Sequence, residues 1–236
     1  MSTVTDFHSH ILPRIDDGSA SLAESIAMLH MEGEQGIRHV VATPHFYPRH
    51  DSPRAFLQRR AEAEARLREE MEKHDGLPDI SVGAEVYFFH GMSDSDILPQ
   101  LTIAKKRCIL IEMPPAPWTE SMYRELEQVW LKWEITPVVA HVDRYISPMR
   151  THHIPERLAE LPVLVQANAS FFLHSMTGGM ALRMLRSGQI HLLGSDCHNM
   201  TSRQPNLGPA LEKIRRRLSP EAIGRICTFE NEIFKN

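Results

Sequence analysis

Val4-Thr5-Asp6-Phe7-His8-Ser9-His10 is the stretch that decides how this chain reads. A short apolar run leads into two histidines spaced two apart, and in extended backbone residues i and i+2 face the same way, so His8 and His10 aim at one point. The event recurs along the sequence. Residues 37–42 run into Thr43-Pro44-His45, residues 80–86 carry Glu85, residues 108–111 run into Glu112, residues 136–140 into His141, and residues 191–194 into Asp196-Cys197-His198. With residues 163–168 these are seven candidate strands, alternating with helical patterns, and six of the seven end at a group that can bind a metal. The helices are well marked: Ser21-Leu22-Ala23-Glu24 is a capping box, Ser52-Pro53 an N-cap followed by an N1 proline, and Gly36 stands where a C′ glycine belongs.

Composition sets the frame. With 236 residues, 42% hydrophobic and 24% charged, the chain is long enough for a sizeable core and is expected to be a single domain over residues 1–236. Lys plus Arg number 26 against 30 Asp plus Glu, and a net charge of -4 removes the bulk attraction expected of a nucleic-acid binder. The three cysteines, Cys108, Cys197 and Cys227, are too scattered for a disulfide framework or a zinc ribbon. No basic n-region opens the chain and no apolar run approaches the ~20 residues that span a bilayer, so a cytoplasmic protein without membrane insertion is expected.

Fourteen histidines are many for this length, and their placement matters more than their number. In an α/β barrel, strand C-termini converge on one mouth, which brings His8, His10, His45, Glu85, Glu112, His141, Asp196 and His198 together. Asp16-Asp17-Gly18, in the loop after the first strand, adds a ninth candidate, Asp17. Nine groups exceed the four of a closed zinc site and imply two or three ions. Imidazole and carboxylate without thiolate suit manganese, iron or zinc. Three divalent ions against the four carboxylates Asp17, Glu85, Glu112 and Asp196 would leave about two positive charges, which favours an anionic substrate such as a phosphate ester.

On these residues the chain resembles the polymerase and histidinol phosphatase (PHP) superfamily. Within it, the chain is similar to the bacterial manganese-dependent protein-tyrosine phosphatases of capsule and exopolysaccharide clusters. The resemblance rests on Asp6–Pro13 with Asp16-Asp17-Gly18, on Ala42-Thr43-Pro44-His45, on Ala140–Tyr145, on Gln166–Ser170, and on Gly194–Asn199 leading to Arg203. It implies a distorted (β/α)7 TIM-like barrel of α/β class. It also implies three divalent metal ions, with manganese expected and iron, zinc or magnesium as alternatives. The implied activity is a metal-dependent phosphoric monoester hydrolase acting on phosphotyrosine, its partner a tyrosine-phosphorylated protein and specifically an autokinase of capsule or exopolysaccharide synthesis, with metal-hydroxide attack on phosphorus. Carried over, His8, His10, Glu112 and Asp196 would surround one metal, with Glu112 bridging, and Asp17, His45, Glu85, His141 and His198 would share the other two. Arg144 and Arg203 match the arginines that hold the phosphate and are the catalytic candidates. The chain departs from the pattern with Phe46, where a second histidine is frequent and where substrate contacts could change, and with Cys197, where a small residue is usual.

Rival readings remain. Cys197 and Arg203 fit the C-x5-R spacing of cysteine phosphatases, although the intervening loop holds no glycine to turn its N–H groups toward phosphate. A small-molecule phosphatase such as a histidinol phosphatase would use the same metals, and a non-catalytic barrel could bind a phosphoprotein. Arg144 also admits a surface ion pair with Asp143. Residues 114–118 read as a packed loop, Trp130 and Trp133 as core, Arg215-Arg216-Arg217 as a solvated helix end, and His152-His153 as an exposed loop.

Overall fold

The computed structural model describes residues 4–103, 108–146 and 153–234. Among these residues nine strands are all paired in parallel: β1 (Asp6–Ser9), β2 (His39–Ala42), β3 (His45–Phe46), β4 (Asp79–Val82), β5 (Glu85–Tyr87), β6 (Cys108–Glu112), β7 (Thr136–Val139), β8 (Leu164–Asn168) and β9 (Leu192–Gly194). They occupy seven positions. The second position breaks at Pro44 into β2 and β3, and the third breaks at Gly83 into β4 and β5, so the orders β1-β2-β4 and β3-β5-β6-β7-β8-β9 form one curling sheet in two tiers. Its ends meet where Asp196 N–H donates to His8 O (2.8 Å) and His10 N–H to Cys197 O (2.9 Å). The result is the distorted α/β barrel expected from the alternation of strands and helices.

Helices follow the strands: α1 (Leu22–Glu34), α2 (Pro53–Met71), α3 (Leu98–Leu101), α4 (Glu120–Trp133), α5 (Ile154–Leu158), α6 (Ala169–Leu173), α7 (Gly178–Arg186), α8 (Leu207–Arg217) and α9 (Pro220–Phe234). At the start of α1, Ser21 accepts the Glu24 N–H at 3.1 Å, as a cap should. Glu24 does not close the box on Ser21. Its carboxylate takes the N–H groups of Ala20 (2.8 Å) and Met200 (3.1 Å), tying α1 to the loop after β9. On α4 the buried stripe is Met122, Tyr123, Leu126 and Val129, which leaves Trp130 42% exposed and corrects its expected place in the core. Trp133 is half-buried and donates its indole N–H to Ser93 O at 2.9 Å.

One apolar cluster fills the space between strands and helices. A second, made of Phe7, Val41, Leu110, Val138 and Leu192 with Phe229, Ile233 and Phe234 of α9 against it, lies under the strand ends. The register of β1 on β2 slips by one residue between the pairs Asp6↔Val40 and Ser9↔Ala42; along this stretch Phe7 packs in the second cluster while His8 and His10 line the mouth. Phe46 is also buried, with its ring 5.0 Å from Phe56, so this departure from the family pattern packs the core and is not aimed at substrate. Of His152-His153, the first lies outside the described residues and the second is exposed. Among the described residues no helix is long and apolar enough to cross a membrane.

Candidate metal centre

All nine candidates meet at the C-terminal mouth of the strands. Glu85 sits innermost, with carboxylate oxygens 3.2 Å from His8, 3.2 Å from His10, 3.1 Å from His45 and 2.8 Å from His141. Asp196 approaches His8 (3.5 Å) and His198 (3.7 Å). Asp17, 68% exposed, caps the opening 3.6 Å from His45 and 3.5 Å from His198. Glu112 lies at the rim, 3.6 Å from His141. The carboxylate facing most imidazoles is therefore Glu85, and Glu112 faces the arginine side.

Ligand atoms gather in three overlapping groups: His10 with Asp17, His45 and His198; His8 with His10 and Glu85; and His45 with Glu85 and Glu112. Several of these atoms are buried without a hydrogen-bond partner among the described residues, namely His45 Nδ1, Glu85 Oε2 and His198 Nε2. An unsatisfied buried polar atom is costly, and three in one spot mean that something else completes them. Nitrogen and oxygen donors at this density fit divalent cations.

The electrostatics agree with that fit. Burial alone would raise Glu85, yet His8, His10 and His141 hold its carboxyl well below the usual range. Burial and the neighbouring His10 bring His198 down to about 4, which keeps its nitrogen free of a proton. Glu112 moves the other way, to about 7, through burial and the Glu85 charge.

The two arginines converge on the same place. Arg144 donates to Asp196 Oδ2 (2.6 Å) and Glu112 Oε1 (3.3 Å), and Arg203 reaches Asp196 Oδ1 at 2.7 Å. Their side chains are 41% and 37% exposed, so both guanidinium groups face arriving solutes. Arg144 is thus not a surface partner of Asp143, which accepts the Asn168 N–H (3.1 Å).

Four supporting residues, Asp16, Gln166, Asn168 and Tyr145, lie in the motifs that carry the resemblance but had no role assigned from the sequence. Asp16 accepts from His10 Nδ1 (2.8 Å), from the His45 N–H (2.9 Å) and from the Gly18 N–H (2.9 Å), fixing the His10 ring while its neighbour Asp17 caps the mouth. Gln166 Oε1 accepts the His141 N–H (2.6 Å) and faces His8 Nδ1 (3.3 Å), and its amide donates to Asn168, which donates to Asp196 (3.0 Å). The Tyr145 hydroxyl lies 3.2 Å from His141 Nδ1. Polar Gln166 and Asn168, alternating inside a buried strand, were the available signal. These contacts hold His141 (φ 31°) and Asp196 (φ 55°) in left-handed backbone, a conformation that costs energy in any residue but glycine. Gly194 answers a different need, because a Cβ there would lie 2.5 Å from His8 Cβ.

The C-x5-R loop is not a phosphate cradle. Asn199 Oδ1 takes the N–H groups of Thr201, Ser202 and Arg203, and the Cys197 thiol is fully buried, with burial and the Glu32 and Asp6 carboxyls pushing it well above its ordinary pKa.

Comparison with known proteins places this geometry. The family model for capsular polysaccharide synthesis, CpsB/CapC, matches residues 4–233. The tyrosine-protein phosphatase CpsB of Streptococcus agalactiae serotype III is 28% identical over 98% of this chain and 98% of its own length. The tyrosine-protein phosphatase YwqE of Bacillus subtilis is 29% identical over 92% of this chain and 85% of its own. A crystal structure from the pair YwqE of Bacillus subtilis and CpsB of Streptococcus pneumoniae, described as metal-dependent tyrosine phosphatases, superposes with a TM-score of 0.84 at 24% identity, over 97% of this chain and 93% of that one. The shared fold is that of the barrel described above.

Proposed function

Since the chain belongs to the CpsB/CapC capsular polysaccharide synthesis family, we propose that it is a metal-dependent protein-tyrosine phosphatase whose metal ligands are His8, His10, Asp17, His45, Glu85, Glu112, His141, Asp196 and His198. The observation that carries this reading is the convergence of those groups with Arg144 and Arg203 at one mouth. Up to three divalent ions, manganese first among them, would supply Lewis-acid neutralisation of phosphoryl oxygens and activation of water.

The chain's own residues do the rest. Glu85, among four imidazoles, holds the cluster together, and Asp16, Gln166, Asn168 and Tyr145 lock the ring orientations. Arg144 and Arg203 offer planar, paired N–H donors to the equatorial oxygens, where charge builds during an in-line displacement. A phenol leaving group, with a pKa of about 10, asks less of a general acid than an alkyl alcohol would. Cys197 takes no part. The phosphoprotein we assign is a tyrosine autokinase of capsule or exopolysaccharide synthesis, met in the cytoplasm, where the three free cysteines stay reduced.

The test is turnover of a phosphotyrosine peptide and of histidinol phosphate after chelation and after manganese is restored, in the wild type, His8→Ala and Cys197→Ala. Peptide hydrolysis that needs the metal and His8 and persists in Cys197→Ala is expected. Metal-independent turnover lost with Cys197 would overturn the mechanism, and a preference for histidinol phosphate would overturn the substrate.

A further inference from the structure

Beside the metal centre lies a cleft of about 470 Å³ that none of the nine ligands lines. Its walls include Tyr47, Tyr87, Phe89 and Pro114, with Arg49 and His50 at the lip. The way it joins the centre follows from strand register. β3 pairs with β5 so that His45 lies opposite Glu85 and Phe46 opposite Val86. Tyr47 and Tyr87 stand two residues beyond His45 and Glu85, on the same side of the backbone and one pleat further out, roughly 6.5 Å along the strand. The Tyr47 ring stacks on the His45 imidazole at 5.0 Å, and the Tyr47 and Tyr87 rings are 5.8 Å apart. Both tyrosines are half-buried, so each keeps an open face.

We propose that Tyr47 and Tyr87 form an aryl subsite that receives the phenyl ring of the phosphotyrosine while its phosphoryl group is at the metal centre. This deepens the function proposed above and rests on it.

Three features fix the occupant. The subsite starts one pleat from the ligands, the span between a phosphoryl group and the ring that carries it. Aromatic rings 4.5–7 Å apart attract beyond simple area burial, so a third ring gains from the pair already there. The charge is complementary as well: the cleft lining contains no carboxylate, and Arg49, at the lip, has no ion pair among the described residues, which suits an anionic ester. An alkyl phosphate would reach the same metals and arginines but leave both rings uncovered, so the pair selects for phosphotyrosine over phosphoserine.

The decisive measurement is a binding ratio, independent of turnover: the calorimetric affinity of benzylphosphonate relative to n-butylphosphonate on the manganese-loaded protein. The wild type should favour the benzyl compound by at least about tenfold, and Tyr47→Leu and Tyr87→Leu should each cut the ratio by about fivefold. Tyr47→Phe and Tyr87→Phe keep the rings and should keep the ratio, which separates ring recognition from loss of fold. A ratio unchanged in the leucine variants, or one near unity in the wild type, overturns the aryl subsite. Failure of the wild type to hydrolyse a phosphotyrosine peptide while the ratio behaves as expected would strike the proposed function and not the subsite.

Discussion

Two sets of buried carboxyls flank β1, and they behave in opposite ways. At the mouth, Glu85 and Asp196 are 1% and 5% exposed yet held ionised, because imidazoles and arginines surround them. On the other side, Asp6, Glu32 of α1 and Glu230 of α9 are as deeply buried, but Asp6 and Glu32 face each other and the Cys197 thiol, and Glu230 accepts the Thr5 N–H (3.0 Å). Burial and the Asp6 charge push Glu32 well above the carboxylate range, and burial lifts Glu230 to about 8. Asp6 Oδ2 and both Glu32 oxygens find no N–H or O–H donor among the described residues, and with both carboxyls pushed upward the arrangement burial favours is one proton shared between Asp6 Oδ2 and a Glu32 oxygen. Equal burial, then, does not make equal sites. What makes a carboxyl available to a cation is the neighbouring positive or neutral nitrogen that keeps it deprotonated.

The comparison breaks most visibly at Glu85. Glu85→Leu removes the charge facing four imidazoles and should lower bound manganese, measured by plasma emission, with turnover reduced by about 10²–10³-fold. Full metal content in that variant would mean the mouth does not depend on its central carboxylate.

Glu230 comes next, through pH. Its folded-state pKa is raised from 4.5 to about 8, so its protonated form contributes stability that is complete below about 4.5 and lost as pH rises through about 8. Relative to Glu230→Gln, the wild type should lose on the order of a few kcal/mol between pH 5 and pH 9, read from urea midpoints at fixed metal. Parallel pH profiles for the two proteins would contradict a buried, protonated Glu230.

The finest discrimination is at Glu32. Glu32→Leu leaves the Asp6 carboxyl without its proton-sharing partner and should cost about 1–3 kcal/mol, whereas Glu32→Gln supplies an N–H donor and should stay within about 1 kcal/mol. Neither should change the metal content. A drop in bound metal in Glu32→Gln would show that the Asp6, Glu32 and Cys197 group is itself a cation site, and the contrast between the two sides of β1 would fail.

Much of this was legible beforehand. The strands were readable because β-branched and apolar runs ended in His, Asp or Glu, and strand ends in an α/β barrel have only one place to converge. The C-x5-R spacing could be set aside only in part, since depth decides a thiol's reactivity and depth is not written in spacing. Trp130 misled for a related reason: two tryptophans three apart on a helix share a face in principle, but the stripe through Leu126 and Val129 turns Trp130 outward. Glu32 reads as a solvated helix position, and nothing local marks it as 0% exposed.

By itself the sequence determined the class of fold and pointed to nine nitrogen and oxygen donors at strand ends, because strand and helix periodicities and metal-ligand chemistry are properties of residue type and short spacing, whereas the two arginines followed from the resemblance of their motifs. Only the tertiary structure decided that Glu85 faces four imidazoles, that Asp16 orients while Asp17 caps, and that Tyr47 meets Tyr87 across β3 and β5. Those outcomes depend on strand register and on which side of a strand meets a helix, and a one-residue slip in register moves every side chain to the opposite face.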